Sequence, residues 1–181
     1  MTTIILINGS LNPSSNTKKI INLMNNILVK QGYSSKVINV GDLELPLFNP
    51  KTNNNAIISE LIEDLKQAKG FIIGSPEYHG GYSGALKNFI DYLNSDIFIN
   101  KPIGLVVLTG GIKSGINTLN SLRIVLRSMQ SLVIPQQVAI SEKEFIDNNL
   151  PLQSKQRIMS VIQGLTMYIN LINKKHQEIT Y

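Results

Sequence analysis

The chain has 181 residues, 43% of them hydrophobic, a formal net charge of +5 and no cysteine. That length and apolar content suffice for one well-buried core, so residues 1–181 read as a single domain. The missing cysteines exclude disulfides, thiolate metal sites and a cysteine nucleophile, and two histidines, His79 and His176, give no basis for a histidine-rich metal site.

The positive balance has no organised face. Lysines pair only at Lys18-Lys19 and Lys174-Lys175, without aromatics between them, so the charge reads as solvated surface and no nucleic-acid partner is expected. The longest apolar runs, such as IGLVVL at 103–108, fall far short of the roughly 20 residues a membrane helix needs. The N-terminus lacks a basic segment followed by a signal-type apolar stretch, and the expectation is a soluble cytoplasmic protein with no membrane partner.

In chain order, a β-like run at 3–8 leads through NGSLNPSSNT into a helical pattern at 17–31. Its apolar side is Ile20, Ile21, Leu23, Met24, Ile27 and Leu28, and Gly32 stops it. A second run, at 35–40, precedes a polar loop, NPKTNNNA at 49–56, and a helix at 56–69. The third run, 70–75, opens the segment SPEYHGGYSG before a helix at 83–93 that Ser83 caps. Runs at 102–108 and 132–140 follow, with a helix after Gly115 and a last one at 152–173. Continuous apolar strands alternating with single helices predict an α/β fold, a five-stranded parallel sheet covered on both faces. The flavodoxin-like doubly wound order 2-1-3-4-5 suits it, in three αβα layers.

In such sheets ligands bind beyond the carboxyl ends of the strands, which selects three loops: GSLNPSSNT, SPEYHGGYSG and TGGIKSG. The first matches neither G-x-G-x-x-G nor the Walker pattern. Ser10, Ser15, Asn16, Thr17 and the amides opening the next helix can nonetheless donate to a terminal phosphate; Ser15 or Asn16 acting only as a helix cap explains the same residues. In the second loop, amides near Gly80 and Gly81 can approach the edge of a flat ring, because glycine has no Cβ.

Together these segments resemble the NADPH-dependent FMN reductase family of flavodoxin-like proteins, which includes azobenzene, quinone and chromate reductases. The carriers are GSLNPSSNT, against a GSxRxxSxx form, and PEYHGGYSGALKNFIDYL, with TGGIKSG similar to a Gly-Gly segment beside the flavin. The resemblance implies that Ser10, Ser15, Asn16 and Thr17 bind the FMN phosphate. It implies that Pro76, Glu77, Tyr78 and His79 line the isoalloxazine or ribityl chain, and that Thr109, Gly110 and Gly111 close the other side. Asn12 stands where the family form has arginine, which removes a bidentate phosphate partner and leaves NADPH against NADH open.

The implied activity is a ping-pong cycle in which NAD(P)H gives a hydride to FMN and a small-molecule acceptor then takes the electrons. The acceptor can be a quinone, an azo compound, a metal oxyanion or free flavin. The flavin carries the chemistry, so no side chain is assigned a catalytic role and no metal is expected. A homodimer or homotetramer is implied by analogy. Two readings stay open beside it: a flavodoxin-like electron carrier without NAD(P)H turnover, and a cofactor-free binding module. A serine hydrolase built on GYSGA fails the G-x-S-x-G form at Ala85.

Overall fold

The computed structural model describes residues 3–52, 55–111, 115–145 and 149–179, with side chains described to residue 175. The elements are β1 (Thr3–Asn8), α1 (Asn16–Lys30), β2 (Ser34–Asn39), α2 (Ala56–Gln67), β3 (Gly70–Tyr78), β4 (Gly81–Tyr82) and α3 (Gly84–Asp91). They continue as β5 (Pro102–Thr109), α4 (Ile116–Ser128), β6 (Leu132–Ser141) and α5 (Leu152–Ile179). The sheet runs β2-β1-β3-β5-β6 with all neighbours parallel, while β4 lies antiparallel to β3 and off that path. With β4 left out, this is the expected 2-1-3-4-5 order of a doubly wound sheet.

Side-chain alternation along the strands divides the core between two faces. Ile4 and Leu6 of β1 join Ile72 and Val106 under α1 and α5, against Ile20, Ile21, Met24, Leu28, Ile158, Val161 and Leu165. Ile5 and Ile7 join Ile73, Leu105 and Val107 on the other face, under α2, α3 and α4, against Leu65, Leu86, Phe89, Leu119, Leu122 and Leu126. Every residue of β5 is buried, which explains why its sequence is an unbroken apolar run.

Two boundaries differ from the sequence expectation. The third strand does not end at 75 but continues to Tyr78 and turns back as β4, pairing Glu77 with Tyr82 and Tyr78 with Gly81. The turn residues His79 and Gly80 have φ of +52° and +78°, the left-handed pair that a two-residue hairpin turn requires. A run of small and aromatic residues conceals such a turn from periodicity. The last helix continues past 173 to Ile179, since nothing in the polar sequence there breaks it.

Sheet order places the carboxyl ends of β1, β3, β5 and β6 along one edge. Three contacts shape that edge. Gly9 N–H donates to the Gly74 carbonyl (2.8 Å), and a Cβ at Gly9 would lie 2.8 Å from Leu86 Cβ, so only glycine lets the first loop pass so close to α3. Asn88 of α3 accepts the Phe48 N–H and donates to the Pro46 carbonyl, both at 2.8 Å, pinning the segment after β2 to that helix. At the far edge β6 slips its register between Val133 and Gln137, around Pro135, and Arg123 of α4 donates to the freed carbonyls of Val133 and Ile134, both at 2.9 Å.

Candidate functional site

The loop after β1 is organised by its own side chains. Ser10 Oγ accepts the Asn12 N–H (3.2 Å), Asn12 Oδ1 accepts the Ser14 N–H (2.9 Å), and Ser15 Oγ accepts the Lys18 N–H (3.1 Å) as the N-cap of α1. Short polar side chains bonding two or three residues ahead favour turns and helix starts over continued strand. No acidic residue occupies the first turn of α1, so its positive end is uncompensated.

Thr17 is the anomaly in this loop. It is fully buried, and its Oγ1 has no hydrogen-bond partner among the described residues. An orphaned buried hydroxyl costs roughly 1–3 kcal/mol unless a ligand or water satisfies it. Thr17 lines a cleft of about 410 Å3 together with Ser10, Asn12, Ser14, Ser15, Asn16, Pro76, Glu77, Tyr78, Leu108, Thr109, Gly110 and Glu142. Ten of the residues singled out from sequence therefore meet around one cavity. They come from three loops that only the sheet order brings together.

The opposite wall is held from farther away in sequence. Thr118, buried in the first turn of α4, donates its hydroxyl to Glu77 Oε2 at 2.6 Å. A carboxylate at a helix N-terminus is also favoured by the helix dipole. Gly115 caps that helix with φ of +103°, and a Cβ there would lie 2.6 Å from Ala139 Cβ and 2.9 Å from Thr109 Cγ2. Thr109 Oγ1 in turn donates to the Gly111 carbonyl (2.7 Å). Tyr78 is 55% exposed, its ring free to cover a ligand from the solvent side.

Three sequence candidates do not line the cleft. His79 and Gly80 form the exposed tip of the β3–β4 hairpin, and Gly111 lies just past the last lining residue, Gly110. Residues 112–114 of the TGGIKSG segment lie outside the described residues. Ser83 serves the frame: its Oγ accepts the Leu86 N–H as the N-cap of α3 and donates to the Gly9 carbonyl at 2.5 Å, joining the first and second loops.

Sequence reasoning missed Ser14, Leu108 and Glu142 as lining residues, and Thr118 behind them. Ser14 belongs to the same hydroxyl run. Glu142 was signalled only by topology, since the carboxyl end of β6 opens on the same edge. It begins a single 3-10 turn (Glu142–Glu144) whose cap, Ser141, accepts the Lys143 N–H (3.2 Å) while Glu144 Oε1 accepts the Ser141 N–H (2.9 Å). Burial pushes the Glu144 carboxyl up, but hydrogen bonds from Ser141, Ser154 and Arg157 and the charge of Arg157 outweigh it and leave the group below its usual range.

Residues 41–47 border a different cavity. Gly41, Glu44, Leu45 and Leu47 line a cleft of about 440 Å3 with Leu11, Val40, Gly84, Ala85 and Asn88. Among the described residues no group of three or more His, Asp or Glu side chains could hold a metal ion, and no helix is long and apolar enough to cross a membrane.

Comparison with known proteins bears on the same loops. Residues 2–145 match the family model described as NADPH-dependent FMN reductase. An NADPH azoreductase of Bacillus sp. (strain OY1-2) is 36% identical over 138 residues, covering 75% of this chain and 78% of that protein. An FMN-dependent NADPH-azoreductase of Staphylococcus aureus (strain USA300) is 42% identical over 95 residues, half of each chain. Among solved structures, an NADH:FMN oxidoreductase in its apo form superposes with a TM-score of 0.79 at 23% identity, covering 92% of this chain and 89% of that one. A flavodoxin from the domain Archaea gives 0.64 at 17% identity, covering 93% and 99%. At these identities the two structures speak for the fold.

Proposed function

This chain belongs to the NADPH-dependent FMN reductase family and is an FMN-dependent NAD(P)H oxidoreductase, and from that premise we propose that the hydroxyl-lined cleft is its flavin site. The observation that carries the assignment is Thr17, a buried hydroxyl without a partner among the described residues at the N-terminus of α1, where an anion is favoured. Ser10, Ser15, Asn16 and Thr17 would hold the phosphate of FMN, with Asn12 bordering it. Pro76, Glu77 and Tyr78 would face the ring or ribityl chain from one wall, and Thr109, Gly110 and Gly111 from the other.

Bound FMN supplies the redox chemistry, accepting a hydride from NAD(P)H and releasing electrons to a small-molecule acceptor. The protein orients it and tunes its charge. Backbone amides at the start of α1 would present fixed dipoles to anionic groups, while the carboxylate of Glu77 accepts the Thr118 hydroxyl. The names of the two azoreductase relatives favour an azo compound or a chemically similar quinone as acceptor. Residues 1–181 would act as one flavin-binding domain, in the cytoplasm and as a homodimer or homotetramer.

The test is an anaerobic absorbance spectrum of the purified protein, loaded with FMN, desalted, and mixed separately with NADPH and NADH. Retained flavin bleached by one nucleotide and restored by an azo dye is the expected result. Flavin that neither nucleotide bleaches would make the protein a carrier, and absence of retained flavin would remove the assignment of the cleft.

A further inference from the structure

Resting on the FMN reading of the cleft, we propose that Glu142 is a specificity-determining residue, a fixed negative charge that weakens the grip on a doubly charged phosphate and narrows the preference for phosphorylated over unphosphorylated flavin. The starting observation is the charge of the wall. The chain holds 17 Lys and Arg residues against 12 Asp and Glu, yet among the described residues the cleft is lined by no lysine or arginine and by two carboxylates, Glu77 and Glu142. Among the described residues its donors are neutral: the hydroxyls of Ser10, Ser14, Ser15, Thr17 and Thr109, the amides of Asn12 and Asn16, and backbone N–H groups.

The two carboxylates are not equivalent. Glu77 accepts the Thr118 hydroxyl and lies beside the N-terminus of α4, so its charge is partly compensated. Glu142 is exposed, and among the described residues it enters no salt bridge. Its position is nevertheless set by its neighbours. Ser141 and Glu144 close a capping box around it, and Glu144 is tied to the Ser154 hydroxyl and the Arg157 guanidinium, which also donates to the Ala139 carbonyl (3.0 Å). Arg157 is thus committed to Glu144, and Glu142, with the exposed Lys143 beside it in the same turn, lines the cleft without a salt-bridge partner among the described residues.

Across a solvated cleft such a charge acts on a phosphate dianion through a screened Coulomb interaction, enough to change affinity about three- to tenfold. Riboflavin presents the same ring and ribityl chain without the phosphate, and the charge should leave it nearly untouched. Comparing the two ligands therefore separates an electrostatic role from a structural one.

The experiment is a flavin fluorescence titration of the full chain, with FMN and with riboflavin, for the native protein, Glu142→Gln and Glu142→Lys, at low and high KCl. Glu142→Gln is expected to tighten FMN about three- to tenfold and Glu142→Lys further, with riboflavin affinity changed by less than about twofold. The gain should shrink at high KCl. Equal shifts for both flavins, or no shift for FMN, would overturn the role of Glu142 while leaving the flavin site in place. A native protein and variants that all bind neither flavin would overturn the site as well.

Discussion

Along the wall formed by residues 10–17, the bonds that shape the chain span two or three residues, from Ser10 to Asn12, Asn12 to Ser14 and Ser15 to Lys18. Along the wall formed by residues 76–82 they reach across the fold, from Thr118 back to Glu77 and from Ser83 back to Gly9. The first wall is a local structure that offers unpaired donors. The second is a tertiary structure in which the Glu77 carboxylate and the Ser83 hydroxyl are already bonded, so its geometry depends on how α4 and α3 dock. Changes in the second wall should therefore cost stability and binding together, whereas changes in the first should separate them.

The largest effect is expected at Gly115. An alanine there must take a left-handed conformation and push its Cβ against Ala139 and Thr109, for a loss of about 3 kcal/mol from strain and overpacking combined. Urea denaturation measures it, and Gly115→Ala should lose FMN affinity in parallel. A variant as stable as the native protein would mean that α4 can shift without disturbing the edge.

Next is Ser83, the link between the two walls. Ser83→Ala removes the α3 cap and leaves the buried Gly9 carbonyl without its donor, together about 2 kcal/mol. Thermal unfolding should register a lowered midpoint. If the loss instead stays within a few tenths of a kcal/mol, water has replaced the hydroxyl and the two walls are not coupled through it.

This difference between walls also explains what the sequence revealed. Continuous apolar runs and helical periodicity exposed the strands and helices, because a parallel sheet buried on both faces leaves little choice of pattern. The strand order came from the doubly wound arrangement such an alternation suits and not from the pattern itself. The first loop was readable because its chemistry is carried by adjacent hydroxyls. The hairpin at 78–81 was not, since His79 adopts a conformation that asparagine or glycine would have announced. Thr118 and Glu142 were invisible for another reason: each reaches the cleft through the docking of a distant element, α4 and β6, and a single threonine in a helix or a glutamate in a turn carries no local mark of that role.

Thr118 gives a smaller effect that tests the second wall directly. Thr118→Val keeps the shape but leaves the Glu77 carboxylate without its donor, costing about 1–2 kcal/mol and loosening FMN, while Thr118→Ser should restore both. Rescue by serine is the sharper readout, since a purely steric role would favour valine over serine. If Thr118→Val binds FMN as the native protein does, Glu77 does not need to be held for the cleft to work.

The smallest change in stability, and the cleanest separation of the walls, is expected at Thr17. Its buried hydroxyl has no partner to lose, so Thr17→Val should be neutral or stabilising by up to about 1 kcal/mol in the absence of flavin. With FMN the same substitution removes one hydrogen bond to a charged group, and affinity should fall about tenfold or more while riboflavin affinity holds. Stability and binding then move in opposite directions, which no substitution in the second wall should do. A Thr17→Val protein that loses stability without ligand would show that the hydroxyl already has a water partner, and unchanged FMN affinity would place the phosphate away from the start of α1.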